Sequence, residues 1–128
     1  MNENVIVEEL FNEINEHGVL HTLISVFGKG AFFEMNFTQK LCDTEVTSLN
    51  ISVRAQNGLM RAGCKTVGQL INMINEGSLI KVRQLGVKSV AELRSFVVEL
   101  GYQQMSDKRK KEFLRNIVRA NAVKRGDE

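Results

Sequence analysis

The sequence predicts an all-α protein, in which a compact four- or five-helix domain containing a helix–hairpin–helix carries an N-terminal helical extension and a C-terminal basic helix. Apolar residues recur at helical spacing along most of the chain. Proline, the strongest helix breaker, is absent from all 128 residues. The apolar and charged fractions, 43% and 25%, are typical of a globular protein and not of a disordered one.

The first element, residues 1–45, is predicted to contain two amphipathic helices that end at Gly18 and Gly28. The aromatic run 31–41 fits either a third helix or a pair of strands, and both alternatives stay open. Two apolar faces exceed what so short a segment can bury within itself, so it packs on the rest of the chain or forms a homodimer, the favoured alternative. The faces are Val7, Leu10, Phe11 and Ile14, then Val19, Leu20, Leu23, Ile24 and Phe27.

A polar stretch, residues 42–50, is predicted to be a linker that holds the domain boundary, which places the compact domain at residues 49–103. The first two helices of this domain have clear start signals. Ser52 is a good N-cap for a helix that ends at Ala62-Gly63. Thr66 and Gln69 have the capping-box spacing that opens the next helix.

The remaining helices of this domain are predicted from three further residues that start or end a helix. Ser78 is expected to cap a helix of one or two turns. Gly86 lies in a tight turn, where a residue tolerant of positive φ is favoured, and a long helix over residues 88–100 follows it. Gly101 is expected to close that helix. Residues 106–125 then predict a basic helix with a narrow apolar stripe.

Charge is unevenly distributed along the sequence. Residues 1–50 hold two lysines against eight acidic residues, whereas residues 51–128 hold the other fifteen basic residues. A basic C-terminal half favours a polyanionic partner. Two cysteines and two histidines do not supply the four ligands of a structural zinc site, so no metal and no cofactor is expected. No apolar run is long enough to cross a membrane and the N-terminus is acidic, so a cytoplasmic protein is expected.

Two motifs carry the functional prediction. In Val53–Leu59 (V-R-A-Q-N-G-L), Arg54 stands in the first helical turn, where a cation opposes the helix dipole unless it serves a ligand. Asn57 follows one turn later on the same face. In Gln84–Leu93 (Q-L-G-V-K-S-V-A-E-L), Lys88 adds a full charge to the helix start, whose amides bind phosphate without sequence preference.

Residues 49–103 resemble the C-terminal domain of the bacterial RNA polymerase alpha subunit, a small helical module that binds the DNA minor groove and contacts transcription factors. The sequence has no room for the alpha assembly domain, so a stand-alone relative is expected. Three departures are Gly58 in place of a side-chain-bearing residue, Val87 in place of a commonly basic one, and a non-acidic stretch at residues 47–50, which weakens the expected sigma-factor contact. The DNA-contacting residues that the resemblance implies are Arg54, Asn57, Gly58, Gly86, Lys88, Ser89 and Glu92.

We therefore expect a DNA-binding transcription regulator or accessory protein, with double-stranded DNA as its partner and RNA polymerase or transcription factors as further partners. The alternative is a protein-interaction module that mimics the alpha domain. An enzyme is not expected, because neither a carboxylate cluster, a nucleophile–base pair nor a phosphate-binding loop occurs. A second DNA contact is expected on the basic helix, against the alternative of a solvated tail. Its residues are Lys108, Arg109, Lys111 and Arg115.

Overall fold

The computed structural model describes residues 2–82 and 85–126, with residues 122–126 described for the backbone alone. Within these ranges the protein forms α-helices and short 3-10 turns, and its strand-like pairing is an isolated bridge between Glu45 and Thr66. The all-α prediction is confirmed. The helices are α1 (Glu3–His17), α2 (Val19–Phe27), α3 (Gln39–Cys42), α4 (Val53–Arg61), α5 (Val67–Glu76), α6 (Gly86–Gln103) and α7 (Asp107–Gly126), with 3-10 turns at Val46–Ser48 and Leu79–Lys81.

The protein divides into two compact units, and the division falls inside α6. One unit comprises Met1–Asn36 with Val98–Glu128, and the other comprises Phe37–Val97. This differs from the predicted domains, which were residues 1–45, 49–103 and 106–125. The N-terminal and C-terminal extensions belong to one unit because their apolar faces pack on each other.

The predicted linker, residues 42–50, is part of the Phe37–Val97 unit. Val46 is buried in its core, and the Val46 N–H donates to the Lys65 carbonyl at 2.9 Å. The Val67 N–H donates to the Thr44 carbonyl at 2.9 Å, so the segment is tied to the start of α5 from both sides. The polar composition of this segment suggested a linker, because backbone hydrogen bonds cannot be inferred from the hydropathy of side chains.

The apolar face of α1 is buried by other helices of the same chain. Val7, Leu10 and Ile14 pack in one core with Tyr102 and the stripe of α7. Val19 and Leu23 of the second predicted face are buried in the same core, whereas Ile24 is 45% exposed, and a homodimer through residues 1–45 finds no support. The α7 stripe consists of Phe113, Leu114, Ile117 and Val118, all buried, so α7 packs against α1 through this stripe. Whether its cations contact DNA stays a prediction.

Helix α6 runs through Gly101 to Gln103, which corrects the predicted stop at Gly101. A glycine inside a helix costs about 1 kcal/mol relative to alanine. Tyr102 is completely buried, and burying a large side chain contributes roughly 2–3 kcal/mol. The burial of Tyr102 in the core with α1 and α7 therefore outweighs the local preference to stop.

The run 31–41 forms neither of the predicted alternatives over most of its length. Only Gln39–Cys42 is helical, and residues 31–38 form no regular secondary structure. The buried Asn121 side chain accepts from the Phe32 N–H at 3.1 Å and donates to the Phe32 carbonyl at 3.0 Å. A distant amide thus satisfies the backbone at Phe32, where a helix or sheet would otherwise do so.

The predicted N-caps in the Phe37–Val97 unit are confirmed with one exception. Ser52 caps α4, and Thr66 with Gln69 forms the capping box of α5. Ser78 does not cap the following turn, because its hydroxyl donates to the Met73 carbonyl at 3.3 Å, and that turn is a 3-10 turn. The core that these elements enclose contains Leu59, Leu70, Leu79, Leu85 and Leu93.

Candidate nucleic-acid interface

The start of α4 is held by its N-cap, Ser52, and by Gln56 of the first motif. The Ser52 hydroxyl accepts from the Ala55 N–H at 3.1 Å, which satisfies one amide of the first turn. The Gln56 amide donates to the carbonyls of Val46 at 2.6 Å and Leu49 at 3.3 Å. The sequence analysis did not identify Gln56, because a glutamine on a helix is expected to be a solvent-exposed residue unless its hydrogen-bond acceptors are known.

Arg54 and Asn57 are exposed on α4, so two of the three predicted contacts of the first motif can reach a ligand. They lie three residues apart and therefore share a face. Arg61 lies one further turn along and is also exposed, with its guanidinium Nε donating to the Asn57 carbonyl at 3.3 Å. The sequence prediction did not include Arg61, although its i, i+7 spacing from Arg54 is a usable signal.

Gly58 is buried, unlike the other predicted contact residues. A Cβ built on Gly58 would lie 2.9 Å from Cδ1 of Leu85, which is itself 1% exposed. Its carbonyl accepts from the Ala62 N–H within the turn that ends α4. The absence of a side chain at this position allows Leu85 to approach α4, and the structure gives Gly58 a packing role.

The second motif forms the start of α6. Gly86 has φ 70°, a conformation that glycine adopts without strain, and this confirms the expected turn. Lys88 and Glu92 are exposed, and Ser89 is half-buried. Gln84, the first residue of the motif, lies outside the described residues. The motif thus presents a cation and a hydroxyl in the opening turn of a helix that is 18 residues long.

A shallow cleft of about 200 Å³ joins the starts of α4 and α6. Ser52 and Ala55 line it from the first helix, and Ser89 and Glu92 line it from the second. The two motifs, which lie about thirty residues apart in sequence, therefore meet on one surface. Its other lining residues are Asn50, Ile51, Leu93 and Phe96.

The electrostatics of this surface favour an anion. Neither α4 nor α6 has an acidic residue in its first turn, so the partial positive charge of each helix start is not offset there. Residues 37–97 hold eight lysines and arginines against four acidic residues. Two helix starts side by side, with Arg54 and Lys88 nearby in sequence, can accept phosphate oxygens.

The second predicted contact set, on α7, is only partly open. Lys108 and Arg109 are exposed in the first turn, where the Ser106 hydroxyl accepts from the Arg109 N–H at 3.2 Å. Lys111 pairs with Glu8 at 2.8 Å, and Arg115 lies 3.5 Å from Glu3. Two of the four predicted cations therefore face carboxylates of α1.

Other ligand chemistry finds little support in the described part of the protein. No three His, Cys, Asp or Glu side chains there lie close enough together to hold a metal ion. Cys64 is buried, and burial raises the pKa of its thiol, which lowers its reactivity. Among the described helices, none combines the length and apolar character needed to cross a membrane.

The Phe37–Val97 unit is a small all-α domain whose candidate site is built from two adjacent helix starts. The family model for the C-terminal domain of the bacterial RNA polymerase alpha chain matches residues 34–99, close to the bounds of that unit. The protein belongs to this family, which is a non-catalytic DNA-binding domain. The expectation that the protein is not an enzyme is met on that ground.

Curated relatives are alpha subunits that match over this region. The DNA-directed RNA polymerase subunit alpha of Rubrobacter xylanophilus is 46% identical over 57 residues, which amount to 44% of this chain and 18% of the relative. That of Carboxydothermus hydrogenoformans is 41% identical over 68 residues, 53% of this chain and 21% of the relative. The matched region thus spans only about a fifth of the length of these relatives. No solved structure matches the protein.

Proposed function

We propose that the Phe37–Val97 unit binds double-stranded DNA as part of a transcription regulator or accessory protein, reading A·T-rich minor groove and holding the flanking phosphates. The observation that carries the proposal is the meeting of the α4 and α6 starts at one cleft, with no acid in either first turn. DNA and the polymerase as partners would place the protein in the cytoplasm.

The two helices have different roles in this proposal. Arg54 enters the minor groove, where a guanidinium responds to the strong negative potential of a narrow A·T-rich groove and not to base identity. Asn57 donates to sugar or phosphate oxygens from the same face. Lys88, Ser89 and the first amides of α6 hold phosphate without sequence preference.

Gly86 and Glu92 complete the proposed contact set, while Gly58 is proposed to act through packing. Gly86 lets the backbone approach DNA closely because no Cβ projects from the turn. Glu92 lines the cleft beside Ser89. A carboxylate repels phosphate directly, so Glu92 contributes by accepting from a donor on the DNA or from a bridging water.

Fluorescence anisotropy with A·T-rich and G·C-rich duplexes at several salt concentrations tests the proposal. Arg54→Ala is expected to weaken binding to the A·T-rich duplex about tenfold and to remove its preference. Lys88→Ala is expected to weaken all duplexes similarly and to flatten the log–log salt slope by about one. Arg94→Ala is the matched control, because Arg94 is an exposed cation on α6 that lies beyond the opening turn of the helix.

If folded Arg54→Ala keeps both affinity and preference, Arg54 does not read the groove. If Arg94→Ala weakens binding as much as Lys88→Ala, binding follows net charge and the cleft has no special role. Either result would contradict the proposed interface.

A second candidate function is a protein-interaction module that engages RNA polymerase or its activators. Exposed apolar side chains favour it, since Met60 and Ile80 are each 59% exposed within the same unit. Pull-down with purified polymerase distinguishes the two functions. Capture that survives Arg54→Ala but is lost in Met60→Ser with Ile80→Ser would favour protein interaction over DNA.

A further inference from the structure

Three cations of α7 are contacted by two carboxylates of α1. Lys111 Nζ lies 2.8 Å from Glu8, Arg115 Nε lies 3.5 Å from Glu3, and an Arg119 terminal nitrogen lies 3.1 Å from Glu3. Arg119 also donates from Nε to the second Glu3 oxygen at 3.2 Å, which makes the pair bidentate. These three cations recur at i, i+4 and i+8, so they form a row with about 6 Å between neighbours.

The row lies within one unit of the protein, and each of its three cations contacts one of two carboxylates, Glu3 or Glu8. Contacts of Glu3 with Arg115 and Arg119, and of Glu8 with Lys111, require α1 and α7 to run antiparallel. Helix α1 has five acidic residues, and apart from His17 it has no basic one. The carboxylates of α1 therefore occupy positions along α7 that a row of phosphates would otherwise fill.

We propose that the Lys111–Arg115–Arg119 face of α7 is a second binding surface for a nucleic-acid phosphodiester backbone, whose charge Glu3 and Glu8 offset in part. The pairs are open to exchange, because the Arg119 side chain is 62% exposed and that of Glu8 is 56% exposed. Exposed ion pairs in water are individually weak, so an incoming phosphate can replace a carboxylate. Lys108 and Arg109 at the exposed start of α7 extend the surface and are the first point of contact.

The apolar contacts of α1 keep the helix in place when its carboxylates are removed. Val7, Leu10 and Ile14 are all buried, whereas Glu3 and Glu8 are not. Glu3→Gln with Glu8→Gln therefore releases the three cations without removing the helix that covers the core. Circular dichroism melting confirms that the variant is folded.

The test compares this double variant with Glu9→Gln plus Glu16→Gln, a matched control. Glu9 and Glu16 are exposed on the same helix and form no ion pair with the described side chains of α7. Each double variant removes two carboxylates, so the change in net charge is the same in both. The Glu3/Glu8 variant is expected to bind duplex more tightly, with a log–log salt slope steeper by about two. Adding Lys111→Gln and Arg119→Gln is expected to return affinity and slope to the starting values.

Equal gains in the two double variants would overturn the proposal, because net charge alone would then explain them. Unchanged affinity in folded Glu3→Gln with Glu8→Gln would also overturn it. If a polyglutamate peptide of the same charge competes with the duplex as well as unlabelled duplex does, the ligand of this surface is an acidic protein segment and not a nucleic acid. If the double variant does not fold, Glu8→Gln alone is expected to steepen the slope by about one.

The experiment is repeated in the full-length protein with Arg54→Ala and Lys88→Ala added, so that it does not depend on the proposed function. The α7 surface is expected to give the same gain in that background. A gain that disappears there would overturn an independent surface on α7. Failure of Arg54→Ala to weaken binding, with the gain retained, would contradict only the interface on α4 and α6.

Discussion

Tyr102 provides a sharp test of the core formed by the two ends of the protein. Burial raises the pKa of Tyr102 to about 12, and the negative charges of Glu99 and Asp107 act in the same direction. The sequence has one tyrosine and no tryptophan, so tyrosinate absorbance reports this residue alone. In the folded protein the absorbance is expected to rise near pH 12, and in the unfolded protein near pH ~10.

The raised pKa of Tyr102 makes stability fall with increasing pH. Below pH ~10 the phenol is neutral in both states and its contribution to folding is intact. Between pH ~10 and pH 12 the unfolded protein releases the proton while the folded protein retains it, so the unfolded state gains. About two pH units of separation correspond to about 3 kcal/mol of stability lost by pH 12.

Tyr102→Phe isolates this effect from the titration of lysines. The Tyr102 hydroxyl is buried and has no hydrogen-bond partner among the described residues, so its removal is expected to be neutral or stabilising at pH ~7. Urea unfolding of both proteins from pH ~8 to pH ~12 measures the difference. A native absorbance midpoint near pH ~10, or equal loss of stability in the two proteins, would show that Tyr102 is not buried as described.

Two further expectations concern the Phe37–Val97 unit. Leu59→Ala, at a position that is 0% exposed, is expected to cost about 2–5 kcal/mol in urea unfolding. Val53→Ala, at a position that is 75% exposed, is the control and is expected to cost under about 0.5 kcal/mol. Similar losses of stability in the Leu59 and Val53 variants would contradict the assignment of Leu59 to the core. Ser52→Ala is expected to cost about 1 kcal/mol through loss of the α4 cap and to weaken duplex binding. Ser78→Ala is the comparison, because the Ser78 hydroxyl makes no N-cap bond to the turn that follows it, and an equal loss would argue against capping at Ser52.

The sequence determined the features that depend on neighbouring residues. The caps at Ser52 and Thr66 and the turn at Gly86 were predicted correctly because each bond or backbone conformation involves residues within one helical turn. The exposure of Arg54 and Lys88 followed from the same local pattern. That these residues contact DNA stays a prediction.

Tertiary structure decided the features that depend on distant contacts. The Phe32 backbone is hydrogen-bonded to Asn121, 89 residues away, and Glu3 pairs with Arg119 at a separation of 116 residues. Tyr102 extends α6 beyond a glycine because α1 and α7 enclose it. Helical periodicity shows that a face is apolar, but not which other face will cover it. Burial energy depends on that pairing, so the partner of α1, the end of α6 and the partly neutralised row on α7 emerged only in the folded protein.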